Sequence, residues 1–160
     1  MSYANAELKL MAEHGTHFDP QVCLVFQNYI DHRDVYSRSG YTEETFKSLG
    51  DAIPTATAMF KRALVTPGLS VIFGTDAVAL AHGRNASELY CRVRAGQKPM
   101  DAITSATSLT AKALGLGDSL GTIAPGYVAD IIAVRGDPAT DIAAVGKVSF
   151  VMRGGVVFKD

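Results

Sequence analysis

The sequence lacks long hydrophobic runs and lacks an excess of either charge sign. Its longest uninterrupted apolar stretches are about five residues, whereas a membrane-spanning helix needs roughly 20. The 15 basic and 16 acidic residues leave a net charge of −1, so the charge balance does not favour nucleic acid as a partner. With 160 residues, 48% of them hydrophobic, we expect a globular chain of one domain, or one domain and a small appendage, with no membrane partner.

Cysteine is also scarce. Cys23 and Cys91 are isolated in the sequence, without the CxxC spacing of a metal or redox motif and without the density of a disulfide framework. They predict two reduced thiols in an intracellular protein. The amino-terminal stretch has no signal-peptide pattern, and we therefore expect a cytoplasmic location.

Several common catalytic motifs are missing. There is no GxSxG nucleophile elbow and no P-loop, and the glycines of "GLGDSLG" follow a predicted helix rather than a strand. His14 and His17 flank Gly15 at a predicted helix-to-strand change, so one helical face does not hold both. His32 has charged neighbours and is interpreted as solvated. Serine-hydrolase and nucleotide-binding chemistry therefore lack their usual signatures.

The first 117 residues or so alternate predicted helices and strands, which favours parallel βα units. Thr42, followed by Glu43 and Glu44, predicts the start of a long helix that Pro54 kinks. The apolar run "LSVIF" predicts a strand buried on both faces. The predicted segments are a helix over 4–15, a strand over 16–26 broken near Asp19-Pro20, a loop with some helix over 27–40, a helix over 42–66, a strand over 69–73, and helices over 86–96 and 98–117.

From about Asp118 the pattern changes to short β runs. They are separated by Pro-Gly, Gly-Asp-Pro and Gly-Gly turns, and "MRGGVVF" predicts a hairpin. We therefore predict two regions, an α/β region over residues 1–117 and a β-rich segment over residues 118–160.

Asp76 is the strongest candidate for a catalytic residue in the sequence. It follows the buried strand directly, in "VIFGTD", and side chains at the carboxyl ends of parallel strands point into a shared site. His82 and Asn85 follow in the same glycine-containing loop. Two interpretations stay open at this point. Asp76 can be a metal ligand or proton acceptor, or these residues can simply form a turn and cap the next helix.

Three stretches resemble the carboxyl-terminal part of metal-dependent amidohydrolases. They are "FGTDA" with "AHGRNASEL", the run "PMDAITSATSLTAKALGLGDSLGTIAPGYVADIIAVRGDP", and "VSFVMRGGVVFKD". The resemblance is strongest to the branch of imidazolonepropionase-like and Xaa-Pro dipeptidase-like enzymes. It also includes "LKLMAEHGTHFDPQ" and "MFKRALVTPGLSVIFGTDA", and so covers essentially the whole chain.

The resemblance implies a partial (β/α) barrel, its last two or three βα units, followed by a β segment of the family's small β-sandwich. It implies that Asp76 binds a divalent, zinc-like metal and shuttles the proton of the attacking water. It also implies that His82 takes part in catalysis and that Arg84 and Asn85 border the substrate pocket. The family's other metal ligands, including an HxH pair and two further histidines, have no counterpart here.

Three hypotheses follow for function. The first is hydrolysis of amide, C–N or ester bonds of a small, dipeptide-like substrate, with Asp76 as base and a metal as electrophile. The second is an inactive fragment that self-associates. The third is a metal-independent ester hydrolase that uses His82 with Asp76 or Ser87 in a cleft between subunits. Because a partial barrel leaves strand edges open, a homodimer or higher homo-oligomer is expected in each case.

Overall fold

The structure, a computed structural model, describes residues 3–160, with side-chain surroundings from Asn5 onward. The chain divides into two compact units. The first extends to Gly96 and the second is Gln97–Asp160. This division falls within the predicted α/β region, and the predicted domain boundary at residues 117 and 118 stays a prediction. Among the described residues, no helix is long and apolar enough to cross a bilayer.

The first unit places five helices around a two-stranded parallel sheet. The strands are short, and His17 pairs with Ser70 while Phe18 pairs with Val71. A hydrogen bond of 2.8 Å between His17 Nδ1 and Ser70 Oγ also joins them. The elements of this unit are α1 (Tyr3–Glu13), β1 (His17–Phe18), α2 (Leu24–Asp31), α3 (Arg33–Ser37), α4 (Glu43–Leu64), β2 (Ser70–Val71) and α5 (Ala86–Arg94).

The core of this unit brings together apolar side chains from helices that are distant in sequence. Leu8 of α1 and Phe60 of α4 are buried in it, together with Cys91 of α5. The helical spacing of apolar residues predicted these faces. Phe46, Phe60 and Ala63 are the buried residues of α4.

Helix α4 begins where the sequence predicts. Thr42 Oγ1 accepts a hydrogen bond from the Thr45 backbone N–H, and Thr45 Oγ1 accepts one from the Thr42 N–H. This reciprocal capping satisfies two backbone donors that a helix start otherwise leaves unpaired. Pro54 lies inside the helix, which continues without interruption from Glu43 to Leu64.

The predicted strand over residues 16–26 is wrong beyond Phe18. Residues 24–31 form α2 instead, and much of the predicted loop over 27–40 is helical in α2 and α3. A short apolar run does not distinguish a strand from a buried helix. Here the helix is favoured because Leu24, Val25 and Asn28 share one buried face at helical spacing.

The second unit combines a helical segment with an antiparallel sheet. Its helices are α6 (Pro99–Thr104) and α7 (Thr110–Ala113), joined by a π-helical turn at Ser105–Leu109. The sheet has the order β3–β4–β5, with β3 at Ile131–Val134, β4 at Val148–Arg153 and β5 at Val156–Lys159. Gly154 and Gly155, both at positive φ, form the hairpin predicted from "MRGGVVF". The mixed α/β class is confirmed.

Candidate functional site

Asp76 lies in a long loop between β2 and α5. The loop follows Val71, the last residue of β2, and ends where α5 begins at Ala86. Asp76 has φ 44° and Leu80 has φ 69°, a left-handed conformation that is uncommon for residues with a side chain. The Asp76 side chain is exposed. The loop therefore presents one carboxylate to solvent from a constrained backbone.

Polar contacts fix this loop at two points. Thr75 Oγ1 donates to Asn85 Oδ1 at 3.1 Å and so ties the two ends of the loop together. In its middle, the Ala79 carbonyl accepts hydrogen bonds from Asn28 Nδ2 at 2.9 Å and from Tyr36 Oη at 2.6 Å. Asn28 is fully buried. Helices α2 and α3 thus hold the loop in place.

Three tyrosines, from α2, α3 and the segment that follows α3, form an aromatic cluster. The ring centroids of Tyr29, Tyr36 and Tyr41 are 4.6–5.4 Å apart. A hydrogen bond with Tyr41, burial and the neighbouring phenols raise the pKa of Tyr29 to about 12, and the negative charge of Asp76 adds to the rise. Tyr29 therefore stays protonated at neutral pH, with its hydrogen bond made to Tyr41.

Arg92 of α5 contacts the chain just after both strands and so joins the strand ends. Its guanidinium donates to the Ile72 carbonyl at 2.7 Å and to the Pro20 carbonyl at 2.5 Å. It is fully buried, with Asp19 at 3.5 Å and Glu88 at 3.6 Å. Burial lowers the pKa of Arg92, and the charges of Glu88 and Asp19 oppose that effect. The arginine remains charged and holds the two strand ends together.

Gly74 is required by its contact with Asp19. Asp19 comes directly after β1 and Gly74 follows β2, so the carboxyl ends of the two parallel strands meet there. A Cβ on Gly74 would clash with the Asp19 carboxylate. A side chain at position 74 would therefore displace the Asp19 carboxylate from this position.

Glu88 stabilises the start of α2 from within α5. Its carboxylate accepts backbone hydrogen bonds from Val22 at 2.5 Å, Cys23 at 3.1 Å and Leu24 at 2.9 Å. Glu88 is fully buried. It supplies the negative charge that a helix amino terminus favours and pairs N–H groups that have no partner within the helix.

The structure brings some of the predicted site residues together and leaves others apart. Asp76, His82, Arg84 and Asn85 share one loop and are all exposed. Within the described part of the chain, no hydrogen bond or ion pair joins Asp76 to His82 or His82 to Ser87. Arg84 forms an ion pair with Asp31 at 3.2 Å. The catalytic and substrate-binding roles of these residues stay predictions.

The residues around Asp76 do not by themselves fit a metal ion. A catalytic zinc site takes three protein ligands. Over residues 3–160 the one group of three or more converging Cys, His, Asp or Glu ligand atoms is Cys23, Glu88 and Cys91, and Asp76 is not among them. Among the described residues, Asp76 therefore belongs to no ready-made group of three such ligands.

The prediction of two separate reduced thiols is wrong for this structure. Cys23 and Cys91 are joined by a disulfide, with their Cα atoms 6.1 Å apart. They are 68 residues apart in sequence, and only the packing of α5 against the start of α2 makes them neighbours. The cytoplasmic location is a separate prediction and stays one.

Sequence reasoning also missed the tyrosine cluster, Asp19, Glu88 and Arg92. Arg92 and Glu88 occur in "SELYCRVR", where charged residues on a helix are ordinarily exposed. Their spacing of four residues allows an i,i+4 pair, which was the one available signal. Nothing local showed that the pair is buried.

The parallel strand pair, the polar loop at its carboxyl end and the following helix define an α/β protein that presents a carboxylate at the strand ends. The chain belongs to the amidohydrolase family, whose model matches residues 1–158. This confirms the resemblance seen in the sequence.

Individual relatives are consistent with that family. The imidazolonepropionase of Thermoplasma volcanium is 32% identical over 110 residues, which cover 62% of this chain and 27% of that protein. The structure of an Xaa-Pro dipeptidase with bound methionine in its active site aligns with a TM-score of 0.83 at 31% identity, over 100% of this chain and 38% of that one. A prolidase complexed with N-methylphosphonate-L-proline aligns with a TM-score of 0.83 at 26% identity, over 97% and 38% of the two chains. The chain therefore spans well under half the length of these relatives.

Proposed function

We propose that this chain supplies the last two or three βα units of an amidohydrolase barrel and the Asp76 carboxylate of a hydrolytic site. The substrate is a small molecule with an amide or related C–N bond, of the dipeptide class. The observation that carries this proposal is the position of Asp76, on a constrained loop that follows a parallel strand. The likeness to an Xaa-Pro dipeptidase over the whole chain supports the substrate class.

The proposed role of Asp76 is to accept a proton. As a water oxygen bonds to the substrate carbonyl carbon, the carboxylate takes one proton from that water. When the C–N bond breaks, the same proton passes to the departing nitrogen, so an acid and an amine leave and Asp76 is again ionised.

Arg84 and Asn85 are proposed to bind substrate, and His82 is proposed to assist proton transfer. The ion pair of Arg84 with Asp31 is partly exposed, with 42% and 38% of the two side chains accessible. Such a pair contributes little stability, so a substrate carboxylate can replace Asp31 at small cost. The hydrogen bond with Thr75 holds Asn85 in the same loop as Arg84.

In the amidohydrolase family a divalent metal polarises the scissile bond and activates water. Because no group of three converging ligand atoms among the described residues includes Asp76, the proposed steps use no metal. Chelation is therefore a separate test of the metal-dependent and metal-independent hypotheses.

Replacing Asp76 by asparagine tests the proposal. The change keeps the size of the side chain and removes its capacity to accept a proton. We expect kcat/KM for hydrolysis of an Xaa-Pro dipeptide, such as Met-Pro, to fall at least about a hundredfold. The assay is run on the purified chain, with added Zn²⁺ and again with a chelator.

Asp34→Asn is the matched control, since Asp34 is an exposed carboxylate of α3 outside the loop, and it should leave the rate unchanged. If Asp76→Asn retains the original rate, Asp76 is not the proton acceptor. If the unaltered chain has no activity in either condition, the hydrolytic proposal is wrong and the inactive, self-associating alternative is favoured.

We further propose that the chain forms a homodimer or higher homo-oligomer. Among the described residues, β1 and β2 pair only with each other, so both outer strand edges are unpaired. A groove of about 630 Å³ lies between α1 and the end of α4. Two of the residues that line it, Leu10 and Val65, are 54% and 77% exposed. Association would bury this apolar surface and cover the open edges.

Light scattering after size exclusion should report a mass of at least two chains at micromolar concentration. Val65→Glu should shift the mass towards one chain because it places a charge in the groove. Val35→Glu, at an exposed valine of α3, is the matched control and should not. A monodisperse monomer for the unaltered protein would contradict the proposal.

A further inference from the structure

We propose that reduction of the Cys23–Cys91 disulfide creates a binding site for a thiophilic divalent cation of the zinc class. The ligands are the two sulfurs and one carboxylate oxygen of Glu88. The site lies on the first unit and uses no residue of the Asp76 loop. It is therefore independent of the hydrolytic proposal.

The three ligand groups already converge. One ligand atom from each of Cys23, Glu88 and Cys91 lies within 4.8 Å of the other two. Glu88 and Cys91 are three residues apart in α5, and so lie on the same helical face. Cys23 immediately precedes α2. Once the sulfurs are released from their bond, a tetrahedral ion with Zn–S distances of about 2.3 Å fits between groups this close.

Backbone hydrogen bonds orient the Glu88 carboxylate and leave it lone pairs with which to bind a cation. Oε2 accepts two backbone hydrogen bonds, from Cys23 and Leu24, while Oε1 accepts one, from Val22. A carboxylate oxygen has two lone pairs, so Oε1 can bind a cation without losing its hydrogen bond. Contacts of this kind behind a ligand fix its direction and strengthen metal binding.

The local charges match a divalent cation. Two thiolates and a carboxylate carry a total charge of −3, which the buried Arg92 guanidinium alone, 3.6 Å from Oε1, does not balance. The charges of the nearby Asp19 and Arg94 cancel each other, so a divalent cation together with Arg92 brings the sum to zero. Arg94 also donates a hydrogen bond to the Cys91 sulfur at 3.4 Å. A guanidinium in this position favours the thiolate form that binds metal.

The residues of the disulfide border a cleft. A cleft of about 200 Å³ is bordered by Cys23 and Cys91, and also by Ile53 and Thr57 of α4. A dithiol or phosphine reductant can enter it, and a water molecule in it would complete a three-protein-ligand site. Reduction adds two electrons and two protons to the bond while the reductant is oxidised. Binding of the cation then releases the two thiol protons.

Cobalt titration of the reduced protein tests the site. The protein is reduced with a phosphine, which is then removed without oxygen, and Co²⁺ is added while near-ultraviolet absorption is recorded. We expect one equivalent to bind with a sulfur-to-cobalt charge-transfer band that Zn²⁺ removes. The oxidised protein should show no such band. Cys23→Ser and Cys91→Ser should each abolish it, and Glu88→Gln should weaken binding at least about tenfold.

Asp76→Asn is the control, and it should leave the band and its affinity unchanged. The cysteine variants keep the test valid if Glu88→Gln fails to fold, which circular dichroism would show. The proposal is overturned if the reduced protein gives no thiolate band. It is also overturned if the band survives when both cysteines are replaced.

Discussion

Arg92→Met is expected to lower the free energy of unfolding by about 3–5 kcal/mol, because removing one partner of a buried ion pair leaves the other uncompensated. Arg92 is fully buried. Its loss leaves the buried Glu88 carboxylate without its cationic partner. It also leaves the Pro20 and Ile72 carbonyls without their guanidinium donor. It also removes a cation placed 4.7 Å from the Phe73 ring centroid. Urea denaturation followed by circular dichroism measures the change.

Arg84→Met is the matched control. The Arg84 ion pair with Asp31 is exposed, and such pairs contribute about 0–1 kcal/mol. The double variant Glu88→Gln, Arg92→Met should cost less than the sum of the two single changes because they share one interaction. If Arg92→Met and Arg84→Met destabilise equally, the buried ion pair does not hold the strand ends together.

The sequence predicts the elements whose signals are local. The Thr42 start of α4, the end of α1 near Gly15 and the Gly154-Gly155 hairpin each depend on a few adjacent residues. Helix α2 was missed because its start is stabilised by Glu88, 64 residues after Leu24. Without that contact, "CLVF" satisfies a strand as well as a helix.

In the candidate site, too, residues with a local sequence signal can be predicted, and residues brought together by packing cannot. The sequence makes Asp76 a candidate because its signal, an apolar run followed by Gly-Thr-Asp, is contiguous, and its role stays a prediction. The strand itself is shorter than the predicted 69–73 and covers only Ser70–Val71. The residues around Asp76 come from α2, α3 and α5, and their proximity to the loop depends on packing. The tyrosines are spread from Tyr29 to Tyr41, and Cys23 meets Cys91 across 68 residues. A single sequence carries no sign of such distant contacts.

Gly121→Ala is expected to destabilise the second unit by about 2–5 kcal/mol. Gly121 has φ +80°, and an added Cβ would lie 2.7 Å from the Thr107 carbonyl oxygen and 2.9 Å from the Ala111 Cβ. The left-handed backbone costs about 1–2 kcal/mol for a residue with a side chain. The overlap with backbone adds about 1–3 kcal/mol, since the π-helical turn that carries Thr107 must move.

Gly126→Ala separates these two costs. Gly126 has φ +90° with nothing within 4 Å of the added Cβ, so it should show the backbone cost of about 1–2 kcal/mol alone. Amide hydrogen exchange, read on peptides from residues 97–160, measures each variant within this unit. Faster exchange near Thr107 in Gly121→Ala than in Gly126→Ala would show that Gly121 is needed for the close approach of two segments. Equal exchange in the two variants would show that only its backbone conformation matters.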